Sequence, residues 1–341
     1  MFVKGEYVSI TDMISDTLEG YEKTQESMHE IENIAKQSKM LANNAAREFG
    51  RLEMAGNVQI ITQQIKSFAK SSMEINERNK EHVEELVHNI NHMVGVRTAD
   101  VASDLIEKIE RSLFERKSNV EAWASFEVFK DYAKDPSEEN CRKIAKTLKN
   151  LHRIYGLYYD IFFADEAGIV KAAAVREESN GRDISNTEWF KETKNSEDAI
   201  VTDMHVSEAV HEYVVSYSIR ILDDDGKFIG VLTTRFDWNH ILKLIDDTKI
   251  SGHGEIYLIN KDGLVIAARE RELIFHKNML LECQGAQTIL ANEMDKLYGY
   301  AIEVNEQEQL TRVLGYAKSQ GYLKYQGMQW AVLALENIKE V

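Results

Sequence analysis

Apolar residues recur at alternating intervals of three and four along the first part of the chain. One run extends from Ile31 to Glu48 and a second from Ile61 to Ile75, with Gly50 and Gly56 between them. Such spacing is typical of coiled coils, and glycines between two runs indicate a bend. The pattern predicts an antiparallel coiled-coil hairpin within residues 1–94. Because the seam includes Ser, Ala and Glu, we expect the hairpin to pair with a second one in a four-helix bundle.

Residues 95–150 carry a pattern that predicts a long connecting helix followed by further helices. Apolar residues recur every four positions from Val101 to Leu113, which is typical of an ordinary amphipathic helix. The segment DPSEEN (135–140) combines a turn with a helix N-cap signal. The helix that follows is expected to end at Gly156.

Runs rich in β-forming residues begin at Leu157 and come in pairs. Turn signals separate the members of a pair: EAG stands between LYYDIFFAD and GIVKAAAV, and DDDGK between EYVVSYSIRIL and FIGVLTTRFDW. The helix NHILKLIDDT follows, and the cycle then repeats from GEIYLIN and LVIAAR to QWAVLALEN. The sequence therefore predicts an α+β fold with two antiparallel-sheet modules, at residues 151–250 and 251–341.

Composition narrows the possible partners. The 341 residues carry a formal net charge of −16, and the pI is near 5.2, which argues against nucleic acid as a partner. Cys141 and Cys283 stand far apart without a CxxC spacing, which excludes a disulfide framework or a zinc knuckle. The N-terminus lacks the pattern of a signal peptide, and no segment is long and apolar enough for a membrane span. We expect a cytoplasmic protein, although a fragment of a membrane receptor would show the same pattern.

Motifs of enzymes and of cofactor sites are missing from the sequence. It has no P-loop, GxSxG, HExxH or dinucleotide-binding fingerprint. The aspartates Asp223–Asp225 lack partners at EF-hand spacing and are interpreted as a turn. The chain is therefore predicted to be non-catalytic, with no cofactor and no metal.

The segment LANNAAREFGRLEMAG–NVQIITQQIKSFAKSS (41–72) resembles the hairpin tip of methyl-accepting chemotaxis proteins. The resemblance implies a partner-binding tip that includes Asn44, Glu48 and Arg51, with the chemotaxis histidine kinase and its coupling protein as partners. Arg47 departs from the family pattern, because it stands where the family has an apolar docking residue.

Residues 95–338 resemble a double Cache sensor domain, which consists of two PAS-like modules. The features that carry this resemblance are RDISNTEWFKE, GKFIGVLTTRFDWNHI, IYLINKDGLVIAA and LGYAKSQGYLKYQGMQWAVLALEN. The resemblance implies a homodimer formed through the long helix. It also implies a ligand in the module at 151–250 and a transmitting role for the module at 251–341.

Amino-acid-binding Cache domains clamp the ligand carboxylate with an Arg-x-Trp-Tyr element. In this chain Thr187 replaces the arginine and Phe190 replaces the tyrosine, whereas Trp189 is kept. His205 and Ser207 stand where a tyrosine and an aspartate are expected, and Arg235 occupies the position of an amine-holding aspartate. The resemblance therefore points to a small organic anion and away from a free amino acid. The candidate ligand-binding residues are Trp189, Phe190, His205, Ser207, Arg235 and Asp183.

Strand alternation supports this assignment independently, because Thr233 and Arg235 share one face of their strand. A guanidinium in a sheltered cavity suits a carboxylate. Two interpretations remain open at this stage. Arg235 either binds the ligand or makes a structural salt bridge, for which Asp183, Asp203 and Glu208 are the candidate partners. Trp189 and Phe190 either line the ligand or belong to the core.

Together these patterns predict a non-enzymatic, chemoreceptor-like sensor that relays ligand binding through a dimeric helical bundle. The alternative is a structural or adaptor protein that assembles with chemoreceptor bundles and has no ligand in its Cache domain.

Overall fold

Two antiparallel helices open the chain. The computed structural model describes residues 10–49, 55–250, 254–283, 286–287, 297–305 and 310–339. The first helix, α1, spans Ile10–Phe49, and the second, α2, spans Ala55–Ala124. The side-chain amide of Asn76 in α2 donates a hydrogen bond to the backbone carbonyl of Met28 in α1, at 2.9 Å.

The two helices contact each other through small side chains. The predicted seam residues Ile34, Leu41 and Phe68 are instead 59%, 68% and 69% exposed. The buried residues follow each of them by one position, at Ala35, Ala42 and Ala69. These three predicted seam residues are therefore not buried between the two arms. Small residues allow close approach of the helix axes, and the larger apolar residues remain outside.

Helix α2 continues without a break across the predicted boundary between residues 94 and 95. In its second half Leu105, Ile109 and Leu113 are buried, as their four-residue spacing predicts. Two shorter helices follow, α3 (Glu127–Lys134) and α4 (Glu138–Tyr155).

Both ends of α4 agree with the sequence signals. The Ser137 side chain accepts a hydrogen bond from the backbone N–H of Asn140, which caps the N-terminus. Gly156 ends the helix in the left-handed conformation, with φ of 61°.

The first sheet contains six strands, all in antiparallel pairs. They are β1 (Tyr158–Asp165), β2 (Val170–Ala173), β3 (Ile200–Val201), β4 (His205–Val206), β5 (Tyr213–Leu222) and β6 (Phe228–Asp237). Their order is β2-β1-β6-β5-β3, and β4 also pairs with β5. Helix α5 (Glu188–Asn195) precedes β3, and helix α6 (Asn239–Asp247) follows β6.

The second sheet contains five strands in the order β8-β7-β11-β10-β9, again antiparallel. The strands are β7 (Glu255–Ile259), β8 (Val265–Ala268), β9 (Tyr298–Asn305), β10 (Leu310–Lys318) and β11 (Ala331–Lys339). A short helix, α7 (Met279–Glu282), follows β8. The mixed helical and antiparallel-sheet architecture agrees with the predicted fold class.

Helix α2 packs against both sheets, and one continuous core joins them. This core includes Leu105 and Ile109 of α2, Ile144 of α4, Phe163 of β1 and Val332 of β11. Among the described residues, no helix has the length and apolar character needed to cross a membrane.

Helix α2 approaches the second sheet closely at Gly315 of β10. A Cβ added there would lie 2.1 Å from the backbone carbon of Thr98 in α2. A neighbouring ion pair joins Arg97 of α2 to Glu336 of β11, and only 8% of the Glu336 side chain is exposed. A residue without a side chain at 315 is therefore a condition for the packing of α2 on this sheet.

We expect Gly315→Ala to lower the free energy of unfolding by about 1–3 kcal/mol, because the added methyl forces the helix and the sheet apart. The matched control is Gly20→Ala in α1, where an added Cβ meets no atom within 4 Å. This control should be neutral or stabilising by up to about 1 kcal/mol, since alanine favours helix. Denaturant unfolding monitored by circular dichroism measures both changes, and equal effects of the two substitutions would contradict the role of Gly315.

Candidate functional site

The strand register of the first sheet assembles a two-row grid of side chains. In one row Arg235 of β6 lies between Asp160 of β1 and Ser216 of β5. In the next row Thr233 of β6 lies between Phe162 and Ser218. Residues two apart on a strand point to the same face, so both rows share the face away from the main core.

An open cavity of about 410 Å³ lies over this grid. That volume is within the range of small-molecule sites. The wall opposite the sheet comes from α5 and from the loops around β2, β3 and β4. The lining includes Phe162, Arg182, Trp189, Thr202, His205, Ser207, Glu208, Ser216, Ser218, Thr233 and Arg235.

Arg235 provides the charge in the floor of the cavity. Its side chain is 17% exposed, and its guanidinium carbon lies 4.7 Å from the centre of the Phe162 ring. Burial lowers the pKa of Arg235, the Asp160 carboxylate opposes this effect, and the nearby guanidinium groups of Arg182 and Arg176 add to it. Arg235 is therefore influenced by one carboxylate and by two further guanidinium groups.

Asp160 is the ion-pair partner of Arg235, at 3.9 Å between Oδ2 and Nη1. This distance is too long for a hydrogen bond. Its Oδ1 atom accepts hydrogen bonds from the backbone N–H groups of Ile161 (2.9 Å) and Val175 (3.0 Å). Its Oδ2 atom is buried without a hydrogen-bond partner in the described part of the chain. Burial raises the pKa of Asp160, and the N–H of Val175 and the charge of Arg235 partly offset this.

The salt-bridge partner of Arg235 was not among the three that the sequence suggested. The candidates were Asp183, Asp203 and Glu208, whereas Asp160 reaches Arg235 through the β1–β6 register. Sequence reasoning missed Asp160, Ser216 and Ser218, because alternation assigns a face to a strand residue but does not say which strand lies beside it.

Four of the predicted ligand residues line the cavity: Trp189, His205, Ser207 and Arg235. The Nδ1 atom of His205 lies 2.9 Å from the backbone carbonyl of Asp203, which fixes the ring orientation. Trp189 packs edge-on to Phe162, with ring centres 6.3 Å apart.

The other two predicted residues lie elsewhere. Phe190 is buried in a small core cluster with Ile184 and Val231, whereas Trp189 packs against the edge of this cluster and lines the cavity. Asp183 is exposed, and its carboxylate accepts a hydrogen bond from the backbone N–H of Ser185 at 2.8 Å. Adjacent residues of α5 point to different sides of the helix, which explains the separation of Trp189 from Phe190.

The segment between β3 and β4 connects the cavity to the second sheet. Asp203 stands between the cavity residues Thr202 and His205, and its Oδ1 atom accepts a hydrogen bond from the Trp330 indole N–H at 3.0 Å. The Trp330 ring meets Trp238 edge-on, with centres 5.5 Å apart. The floor of the cavity is likewise close to α2, since Phe236, next to Arg235, stacks with Arg116 at 5.9 Å.

Of the predicted partner-binding residues of the hairpin, Asn44 and Glu48 do not line this cavity. Asn44 and Glu48 are exposed on α1, whereas Arg51 lies outside the described residues. Within the part of the chain that the structure describes, no three His, Cys, Asp or Glu side chains group as metal ligands would. Cys141 is half-buried and Cys283 is buried, and neither forms a disulfide.

Comparisons with known structures agree with this architecture. The ligand-binding domain of the Campylobacter jejuni chemoreceptor Tlp3 in complex with 4-methylisoleucine aligns with a TM-score of 0.56 and 18% identity, over 72% of this chain and 92% of that one. The ligand-binding domain of the Pseudomonas aeruginosa PAO1 amino acid chemoreceptor PctC, in complex with GABA, aligns with a TM-score of 0.52 and 16% identity, over 69% of this chain and 96% of that one.

The extracellular domain of a putative histidine kinase, rpHK1S-Z16, aligns with a TM-score of 0.54 and 18% identity, over 71% of this chain and 94% of that one. At such low identities these likenesses show the fold alone. No curated protein matches the chain. The family model described as a Cache domain matches residues 59–341, which is most of the sequence. The chain belongs to the Cache domain family.

Proposed function

We propose that this protein is a non-catalytic sensor that binds a small organic anion in the cavity of the first sheet. The observation that carries the proposal is Arg235, a largely buried guanidinium in the cavity floor whose ion-pair partner is 3.9 Å away. No acceptor among the described residues is within hydrogen-bond distance of its N–H groups. A ligand carboxylate could bind them in the bidentate geometry that guanidinium groups favour. The chemoreceptor domains of this fold were captured with small ligands, which also favours sensing.

We propose further that ligand binding is relayed to helix α2 along two short routes. The first follows β6, because Arg235 faces the cavity and the next residue, Phe236, stacks with Arg116 of α2. The second follows the hydrogen bond from Trp330 to Asp203, which ties the β3–β4 segment to the second sheet. A ligand that favours one position of these contacts would shift the population of helix arrangements.

The proposed assembly is a homodimer in which two hairpins form a coiled-coil four-helix bundle. Its support is the row of large apolar side chains left exposed on the hairpin, including Ile34, Leu41 and Phe68. Apolar rows of this extent are typical of surfaces that pair with another helix. The two PAS-like sheets of a double Cache domain would then transmit ligand binding to a signalling hairpin of the methyl-accepting type.

The chemotaxis histidine kinase and its coupling protein are the proposed partners of the tip, through Asn44, Glu48 and Arg51.

The second candidate function is an adaptor that pairs with chemoreceptor bundles without binding a ligand, and the same exposed apolar row favours it. Loss of all ligand binding together with retained assembly would favour this candidate. The cytoplasmic location stays a prediction.

Small carboxylates should raise the melting temperature of the wild-type protein. We expect about 5 °C at ligand concentrations near 100 times the dissociation constant, because binding to the folded state adds roughly 2.7 kcal/mol. A suitable panel is acetate, pyruvate, lactate, succinate and 4-methyl-2-oxopentanoate. Arg235→Gln should abolish the shift, because the amide carries no charge.

The matched control for this experiment is Arg220→Gln, which makes the same charge change on the same face of the sheet. Arg220 lies outside the cavity and pairs with Glu197 at 3.5 Å. The control should keep the ligand-induced shift within about 1 °C of wild type. An unchanged shift in Arg235→Gln, or no shift for any acid with the wild type, would contradict the anion site.

Trp330→Phe should weaken the coupling between the cavity and α2. The phenyl ring keeps apolar contact with Trp238, but the hydrogen bond to Asp203 is lost. Hydrogen exchange of residues 95–124, with and without the panel acid that gives the largest shift, measures the coupling. We expect the ligand-induced change in protection to fall by about half or more. Trp123→Phe is the control, and an equal loss there would argue against a specific route through Trp330.

Phe68→Glu should shift the protein from dimer to monomer, weakening self-association by at least about 10-fold, because a charge would enter the bundle seam. Ser67→Glu adds the same charge one position away, at another exposed site, and should leave association unchanged. Sedimentation velocity over a range of concentrations distinguishes the two. A wild-type protein that is monomeric at all concentrations would refute the dimer.

A further inference from the structure

The hydroxyl groups beside Arg235 form the second chemical feature of the cavity. The register places Ser216 directly opposite Arg235, and Ser218 directly opposite Thr233. All four residues line the cavity. A ligand acid group on the guanidinium would therefore have hydroxyls next to its second carbon.

These hydroxyls have protons left to donate. The Oγ atoms of Thr233 and Ser218 are 3.1 Å apart, and their mutual hydrogen bond uses one of their two protons. Whichever hydroxyl donates, one proton of the pair remains available. The Ser216 hydroxyl has no hydrogen-bond partner among the described residues, although its backbone N–H donates to Thr202 Oγ1 at 2.9 Å. The floor of the cavity is thus rich in hydrogen-bond donors.

Carboxylates that could pair with a ligand cation are scarce in the same place. The nearest carboxylate, Asp160, is fully buried, faces Arg235 and does not line the cavity. Glu208 lines the cavity but is exposed at its mouth. Arg182 also lines the cavity, and its positive charge would disfavour a second cation near Arg235. An ammonium group beside the bound carboxylate would meet cations and would lack a carboxylate to pair with.

Part of the cavity lining is apolar. Trp189, Val170, Ile184 and Ile200 belong to it, together with the ring of Phe162. An apolar side chain of the ligand can bury its surface against this part, at roughly 25 cal/mol for each Å² removed from water.

We propose that the ligand is a 2-oxo or 2-hydroxy carboxylate with an apolar side chain. This inference rests on the anion site proposed above and specifies its ligand class. Arg235 binds the carboxylate, and the hydroxyls of Ser216 and of the Thr233–Ser218 pair donate to the oxygen on the second carbon. The apolar side chain lies against Trp189. Hydrogen bonds from these hydroxyls favour an oxygen over a hydrogen at that carbon, and the scarcity of carboxylates around Arg235 disfavours an amine there.

The test uses four probes with one carbon skeleton: 4-methyl-2-oxopentanoate, 2-hydroxy-4-methylpentanoate, leucine and 4-methylpentanoate. Isothermal titration calorimetry with the wild-type protein measures their affinities. We expect one or both of the oxygen-bearing acids to bind at least about 10-fold more tightly than leucine and than 4-methylpentanoate, since each adds a hydrogen bond or avoids a repelled charge.

Thr233→Val and Ser216→Ala should each reduce the affinity for the oxygen-bearing acids by about 3- to 10-fold and leave 4-methylpentanoate within about 2-fold. Thr234→Val is the control, because the Thr234 side chain lies on the other face of the same strand and outside the cavity. Melting temperatures check that each variant is folded, and Ser216→Ala provides the test if Thr233→Val is not.

The outcomes separate this inference from the anion site itself. Equal binding of 4-methyl-2-oxopentanoate and 4-methylpentanoate, abolished for both by Arg235→Gln, would overturn the ligand class and leave the anion site intact. Tightest binding of leucine would also overturn it. If none of the four probes binds, the ligand class is wrong. The anion site is contradicted as well only if none of the acids in the wider panel raises the melting temperature.

Discussion

The contact between helix α2 and the two sheets is the interaction on which the rest of the structure depends. Gly315 brings β10 against the backbone of Thr98, and the buried Glu110 carboxylate accepts a hydrogen bond from the N–H of Gly321 at 2.7 Å. Arg116 of the same helix stacks on Phe236 of the first sheet. One helix is therefore in contact with both sheets and with α1. Since packed interfaces of this kind shift between discrete arrangements instead of deforming smoothly, a small change at either sheet can alter the position of the helix.

The candidate site contains buried polar groups, whose loss of hydration lowers the stability of the fold. Asp160 is fully buried, its Oδ2 atom lacks a hydrogen bond, and its pKa is raised by that burial. A buried ion pair at 3.9 Å is weak compensation for the loss of hydration. Such a pair stabilises the fold little. It leaves guanidinium donors beside the open cavity, which a ligand could use, as the proposed function requires. Strand alternation places the cavity-lining residue and the helix contact on successive residues, Arg235 and Phe236.

The sequence predicted those features that depend on local spacing. The strands and their turns, the helix capped by Ser137 and Gly156, and the shared face of Thr233 and Arg235 follow from periodicity of two or 3.6 residues and from turn chemistry. The match of residues 59–341 to the Cache domain family agrees with the resemblance found in the sequence. The buried residues between the hairpin arms follow the predicted seam residues by one position. A heptad pattern identifies apolar faces but does not identify the partner that each face contacts.

Tertiary structure alone decided which residues meet. Asp160 and Ser216 are 75 and 19 positions away from Arg235 in sequence, and only the register of β1 and β5 on β6 places them beside it. In helix α5 the Phe190 side chain points to the core, whereas the side chain of the adjacent Trp189 points to the cavity. The sequence by itself determined the elements, the family and the identity of the cation at position 235. The pairing of strands determined its partners, because register is a long-range property that local propensity does not encode.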